Sequence, residues 1–323
     1  MNEIKGSRIL VIGGAGLIGS HLVEELLKED PARISIYDNF CRGTHENLKT
    51  ASEDKRVEIF SDGADIQHAD ILDKAMDGVD YVFHLAALWL LQCYEYPGSA
   101  FEVNIKGTFN VVQACVKHKI KKLVFSSSAS VYGDALEIPM GEDHPYNNRT
   151  FYGATKIAGE HIMRSFNERY GLDYVGLRYM NVYGPRQDYK GTYIAVMMKI
   201  LDRIDSAQQP VVYGDGSQSY DFVHVKDVAR ANILAMKADS TDSFYNVGTG
   251  VKTSVKELTR LLIRLTGSDL SIKYEEAGKT FVTHRVGATE KAEKELGFRS
   301  QITLEEGMKD LINWRKKDQS FFE

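Results

Sequence analysis

Residues 8–28 read RILVIGGAGLIGSHLVEELLK. Arg8 to Ile12 is a short apolar run with β-branched content, and Leu17 to Lys28 carries apolar residues at helical spacing. A glycine cluster separates them, so the segment predicts strand, tight turn and helix. Gly13, Gly16 and Gly19 form a G-x-x-G-x-x-G array. The first suits the turn, the second lets backbone approach a pyrophosphate, and the third lets helix pack on strand; the helix N-terminus favours negative charge. The next strand, Ile34 to Tyr37, stops at Asp38, 19 residues after Gly19, where a carboxylate can accept hydrogen bonds from an adenosine ribose. That carboxylate repels a 2′-phosphate, so the expected cofactor is NAD rather than NADP. Arg42 lies close by, either as a solvated loop residue or as a contact that softens this preference.

Further strands are expected at Val57–Phe60, Tyr81–Leu85, Leu123–Ser126 and Tyr174–Leu177, with helical patterns at about 70–76, 100–117 and 152–170 between them. Alternating strands and helices need crossover connections, which predicts an α/β fold: a Rossmann-type, doubly wound parallel sheet. After Tyr179 the alternation breaks into turn-rich sequence, with helical patterns at 255–266 and 303–315. The expected organisation is an NAD-binding domain over residues 1–179 and a smaller α/β substrate-binding lobe over 180–323. A segment near 220–250, with Tyr245-Asn246-Val247, returns to the first domain as a strand.

The composition is ordinary for a globular chain of 323 residues, 43% hydrophobic and 26% charged. A net charge of −5 and a pI near 6.0, with no basic tract, give no reason to expect a nucleic-acid partner. Glycines interrupt the N-terminal apolar stretch, which reads as a strand rather than a leader. Val79 to Cys93 contains Asp80 and His84 and is too short to cross a bilayer. A cytoplasmic protein with no membrane partner is expected. Cys41, Cys93 and Cys115 are scattered, fit a reducing compartment and lack metal-ligand spacing, so no metal is expected.

FYGATK, residues 151–156, places Tyr152 and Lys156 at i and i+4 of a helix, on one face. The preceding expected strand ends in FSSSASVYG, which puts Ser126, Ser127 and Ser128 at the carboxyl edge of the sheet, where the ligand crevice of such folds opens. Alone, a serine run is ordinary turn chemistry. Together with Tyr152 and Lys156 it forms a reactive set: Ser128 holds a substrate oxygen while Tyr152, as phenolate, removes its proton. An unperturbed phenol titrates near ~10, and a nearby ammonium together with a positive nicotinamide would lower it by ~1–3 units.

With these residues the chain resembles the NAD-dependent epimerase/dehydratase branch of the extended short-chain dehydrogenases, and most of all its UDP-sugar 4-epimerases. The resemblance rests on the glycine array, Asp38-Asn39, Asp65-Ile66, HLAA (84–87), VNIKGT with Asn104, SSSASVYG, Tyr152-x-x-x-Lys156, LRYMNVYGP and YGDGSQSYDFVHVKDVA, in that order from about Arg8 to Phe298. It implies a nucleotide-sugar substrate, NAD that stays bound through turnover, and a homodimer joined by a four-helix bundle. It also implies catalytic roles for Ser128, Tyr152 and Lys156. Cofactor contacts would come from Gly13, Gly16, Leu17, Ile18, Asp38, Asn39, Arg42, Gly43, Asp65, Ile66, Leu85, Ala86, Ala87, Asn104, Ser126, Tyr152, Lys156 and Tyr179. Asp65 and Ile66 would touch adenine, and Tyr179 would lie by the nicotinamide. Ser128, Asn181, Arg186, Thr192, Tyr213 and Arg285 would hold the substrate, with Asn181 on the diphosphate and Tyr213 bordering the base. A satisfied turn or cap amide is the alternative for Asn104 and Asn181, and His84 and His224 read as structural.

Within that family the residues after the active-site serine separate the chemistries. The 4,6-dehydratases carry Asp-Glu there, and uronate decarboxylases often keep the glutamate; this chain has Ala129-Ser130. Elimination lacks its acid–base pair, so C4 epimerisation is expected, on a UDP-hexose, UDP-N-acetylhexosamine or UDP-uronate. Dehydration, decarboxylation or net 4-oxidation is the alternative, and an NAD-binding sensor without turnover is the alternative of another class. Three local departures stand out: Tyr220 where arginine is common, a bulky LWLLQCY (88–94) after HLAA, and Arg149-Thr150-Phe151 before Tyr152 where Ser-Pro is common.

Overall fold

The structure, a computed structural model of the chain, describes residues 3–61, 63–187, 195–277 and 282–318. Six strands appear in the first part of the chain: β1 (Arg8–Ile12), β2 (Arg33–Tyr37), β3 (Val57–Ile59), β4 (Tyr81–His84), β5 (Lys122–Ser128) and β6 (Tyr174–Tyr179). Short strands follow: β7 (Asn181–Tyr183), β8 (Val211–Tyr213), β9 (Ser219–Tyr220), β10 (Phe222–His224) and β11 (Ser243–Val247). The last three are β12 (Thr253–Ser254), β13 (Lys273–Glu275) and β14 (His284–Arg285). A seven-stranded sheet runs in the order β11-β6-β5-β4-β1-β2-β3, every pair parallel. Strand order reverses between β1 and β4, so the crevice opens at their carboxyl ends.

The two-residue strand period sorts β1 between two cores. Ile9 and Val11 belong to one buried cluster, Leu10 and Ile12 to the other. Burial on both faces is why this strand is a continuous apolar run rather than an alternating one. Leu22, Val23 and Leu26 of the helix Leu17–Leu27 and Val228, Ala229 and Met236 of the helix Val225–Lys237 cover one face. The helices Ala69–Ala75, Thr108–Lys117 and Phe151–Tyr170 contribute Leu72, Val111, Val112 and Met163 to the other. A third, separate buried cluster holds Met198, Leu201, Phe222, Leu258, Leu262 and Leu311.

The helix expected over 100–117 is a compound one. Pro97–Ala100 and Thr108–Lys117 are α-helical, and Phe101–Gly107 between them is a π-helix. The wider turn holds Asn104 inside the fold, where its amide meets the backbone of the segment after β4. Among the described residues no helix is long and apolar enough to cross a membrane, and no cluster of potential metal ligands is found.

Candidate active site

A cleft of about 1610 Å³ runs along the carboxyl edge of the sheet and on to Ala195, Met197, Phe222 and Val255. Its floor is the turn after β1. Gly13 is left-handed there, φ +84°, and a Cβ would stand 2.7 Å from Ala86 N, so the protein's own packing demands glycine. Gly16 is different. Its φ is −75°, and a Cβ would meet nothing nearer than Gly13 O at 3.5 Å, an ordinary contact. No packing in the protein requires glycine at this helix start, which leaves bare backbone of the kind a pyrophosphate can approach.

Asp38 ends β2 and carries two loads. Its carboxylate accepts from Ala15 N at 2.9 Å and from Phe40 N at 2.8 Å, which braces the turn while leaving the group on the cleft wall. Burial pushes its pKa up, against those two amide hydrogen bonds. Asn39 Nδ2 donates to Asp65 Oδ2 at 2.9 Å, and Tyr37 Oη to Asp65 O at 2.9 Å, so the ends of β2 and β3 form one polar corner.

Ser128 is the last residue of β5, and Tyr152 and Lys156 stand in the first turns of the helix Phe151–Tyr170, whose N-cap Thr150 accepts from Gly153 N at 3.1 Å. Deeper in, Arg178 of β6 and Glu160 of the helix form a buried two-pronged ion pair at 2.9 and 2.7 Å. Tyr146 Oη donates to the same carboxylate at 2.8 Å, and Ser127 Oγ donates to it as well. This network locks the helix to β5 and so fixes Tyr152 relative to Ser128. Lys156 Nζ donates to Ser126 O at 2.8 Å and lies 5.7 Å from the centroid of the Tyr152 ring. Burial pushes the Tyr152 phenol up to about 12, opposed by hydrogen bonding to Ser128 and by the Arg285 and Arg42 charges. Burial also brings Lys156 down to about 8, opposed by Cys93 and Glu160. Lys156 thus stands beside Tyr152 on one helix face, as the i, i+4 spacing predicts, with its charge over the ring and anchored to the carbonyl of Ser126. Tyr179 Oη hydrogen-bonds Ser126 Oγ and donates to Asn232 Oδ1, both at 2.9 Å, leaving its ring on the cleft wall.

The cleft gathers Gly13, Gly16, Leu17, Ile18, Asp38, Asn39, Arg42, Gly43, Asp65, Ile66, Leu85, Ala86, Ala87, Ser126, Ser128, Tyr152, Lys156, Tyr179, Asn181, Arg186 and Arg285. Two residues expected at the site are elsewhere. Asn104 is 3% exposed; its Oδ1 accepts from Leu88 N at 2.7 Å and its Nδ2 donates to Leu88 O and Thr155 Oγ1 at 2.8 and 3.1 Å, so it clamps the loop behind the cleft wall instead of lining it. Tyr213, 56% exposed on β8, does not line the cleft. Thr192 lies outside the described residues.

Sequence reasoning missed Gln92 and Gln187. Among the described residues, Gln92 Oε1, Asn181 Nδ2, Arg186 Nη1, Gln187 Oε1 and Arg285 Nε are buried polar atoms on cleft-lining residues that find no partner within the protein. Buried orphans are costly unless a ligand meets them. Arg186, left-handed at φ +68°, also pairs with Glu24 of the helix Leu17–Leu27. Tyr220 donates to Val282 O at 3.1 Å, and in register beside it stands Arg285, whose pKa burial pushes down. His84 bonds Thr108 Oγ1 at 3.0 Å and is held near 3 by burial, and His224 caps the helix Val225–Lys237 and is held near 4, which gives both a structural place.

The sequence profile of the NAD dependent epimerase/dehydratase family matches residues 9–248. A putative UDP-glucose 4-epimerase of Methanocaldococcus jannaschii is 36% identical over 318 residues, spanning 96% of this chain and 99% of the relative. The UDP-N-acetylglucosamine 4-epimerase of Methanobrevibacter ruminantium, solved in complex with UDP-N-acetylmuramic acid, superimposes with a TM-score of 0.91 at 35% identity, covering 98% of this chain and 100% of that one. A UDP-N-acetyl-alpha-D-glucosaminuronate decarboxylase of Bacillus cytotoxicus is 33% identical, spanning 95% of this chain and 97% of the relative. The chain belongs to the NAD dependent epimerase/dehydratase family, its cofactor is NAD, and its relatives include UDP-sugar 4-epimerases. The bare backbone at Gly16 and the acidic corner at Asp38 fit that cofactor.

Proposed function

We propose that this protein is a UDP-sugar 4-epimerase. Bound NAD supplies a hydride acceptor and donor. Ser128 holds the C4 hydroxyl oxygen, and Tyr152, as phenolate, takes its proton and later returns it. Lys156 supplies the positive charge that makes the phenol acidic enough. Arg186, Arg285 and Asn181 offer unpartnered N–H groups suited to a diphosphate, with Arg285 standing in for the arginine that Tyr220 replaces. Tyr179, pinned by Ser126 and Asn232, would stand beside the nicotinamide.

One observation carries the choice of reaction: no carboxylate follows Ser128. Ala129 and Ser130 occupy those positions, both buried, and among the described cleft-lining residues the only carboxylates are Asp38, Glu46, Asp65 and Asp318. The first three belong to the cofactor flank beyond β2 and the last to the C-terminal end of the helix Leu304–Lys317. Removing water from C5 and C6 needs an acid and a base beside the sugar, whereas inversion at C4 needs only the Tyr152 pair and the cofactor. The decarboxylating relative supports a second reading, loss of carbon dioxide from a uronate, because a 4-keto group can accept the electrons without a protein acid. The test is incubation with UDP-glucose, UDP-N-acetylglucosamine and UDP-glucuronate in turn: the proposal expects one of them to equilibrate with its C4 epimer.

A cytoplasmic homodimer completes the proposal. Phe101, Phe109 and Tyr170 on the helical layer are 49%, 40% and 53% exposed, apolar surface that a second copy would cover. Sedimentation gives the mass of a dimer if this is right and that of one chain if it is not.

A further inference from the structure

β1 lies between β2 and β4, so the glycine turn after β1 is flanked by the loop after β2 and the segment after β4. Both flanks press on it. On one side, a Cβ on Gly43 would stand 2.6 Å from Ala15 Cβ, and Thr44 N and Asn47 Nδ2 both donate to Ala15 O, at 3.3 and 2.9 Å. On the other, Ala86 touches Gly13. The two flanks then meet above the turn: the guanidinium of Arg42, an exposed residue, lies over the Trp89 ring with Cζ 4.6 Å from the centroid. Both side chains line the cleft. Trp89 is presented by a fixed backbone, because Asn104 clamps both polar groups of Leu88 and Thr155 of the catalytic helix holds Asn104. Arg42 is the exposed half.

We propose that Arg42 and Trp89 form a strap across the glycine turn that keeps NAD(H) in its groove between turnovers. The inference rests on the NAD dependence of the family and assigns a use to the bulky segment after HLAA. A pyrophosphate seated on the turn cannot leave until the arginine swings off the indole. The guanidinium also adds positive charge beside the phosphates. A cation–π contact is soft and opens by a rotamer change, so the strap slows release without blocking the first loading of the cofactor.

Stopped-flow release tests it: protein loaded with NADH is mixed with a large excess of NAD, and the loss of bound-NADH fluorescence gives the off-rate. Trp89→Ala and Arg42→Ala are each expected to speed release by about 2- to 30-fold, the range of a cation–π contact. Trp89→Phe, which keeps a smaller π-face, falls between. The double variant releases no faster than the faster single one, because either change removes the same contact. Arg42 is exposed, so its replacement leaves the fold intact even if Trp89→Ala does not. Parental off-rates in the Arg42→Ala and Trp89→Phe proteins, or a double-variant effect equal to the product of the singles, would overturn the strap while leaving the cofactor assignment in place. A parent protein that never holds NADH would overturn both.

Discussion

Lys156→Met keeps the length of the side chain and removes its charge, which isolates the reason for a lysine one helical turn after the proposed base. In the protein without cofactor, burial holds Tyr152 at about 12. Lys156 Nζ is 5.7 Å from the ring centroid; at that separation and an effective dielectric of about 20, a unit positive charge stabilises a phenolate by about 3 kcal/mol, or about two pKa units. The positive charge of a bound oxidised nicotinamide would lower the phenol further. Removing the lysine takes away those two units and lowers the phenolate fraction at neutral pH by about 100-fold. The assay is kcat/KM for a turned-over UDP-sugar from about pH 6 to about pH 10. The variant is expected to be about 100-fold slower near pH 7 and to regain ground by about tenfold per pH unit as pH rises, its inflection displaced upward. An unchanged inflection with a uniform drop in rate would refute the electrostatic role and leave Lys156 only as the donor to Ser126 O.

Tyr152→Phe retains the buried ring and removes the proposed base, so it is expected to fold, hold NAD and lose about 10²–10⁴-fold in turnover; retention of parental activity would transfer the role to Ser128. Asp38→Ala removes the acceptor of Ala15 N and Phe40 N as well as the proposed ribose contact, and dialysis should strip NAD from the variant under conditions where the parent keeps it. His21, His84 and His224 are held by burial at about 4, 3 and 4. Between those values and the ordinary ~6.5 the unfolded chain binds more protons, so stability is complete above ~6.5 and falls as pH drops through the window, by up to about 1.4 kcal/mol per pH unit per histidine. Urea unfolding from neutral to mildly acid pH reads this slope, and stability that stays flat would contradict it.

The sheet was legible because a parallel strand buried on both faces is an unbroken apolar run, and because the glycine array and Asp38 are tied to the ends of β1 and β2. The placement of Ser128, Tyr152 and Lys156 on one cleft was legible for a related reason: i, i+4 spacing fixes a face, and the serines end a strand. What escaped depends on contacts distant in sequence. Asn104 carries the right residue type in the right motif, yet a π-turn directs its amide to Leu88, and helical periodicity alone does not distinguish a π-turn from an α-turn. Tyr213 was expected to border the base; β8 pairs with β13 and places it, exposed, outside the cleft lining. The Arg178–Glu160–Ser127 network joins three elements, and its members look in sequence like a strand arginine, a surface glutamate and a turn serine. Arg42 and Trp89 are 47 positions apart and meet only because β1 is inserted between β2 and β4.

The central claim is inversion at C4 with nothing lost from the sugar, and the product formed in deuterated water tests it most directly. Mass spectrometry and proton NMR of the nucleotide sugar after turnover should show an epimer of unchanged mass with no deuterium at C5, because the hydride leaves from C4 and returns to C4 and no carbon-bound proton is exchanged with solvent. A product lighter by water or by carbon dioxide, or one carrying deuterium at C5, would contradict the account.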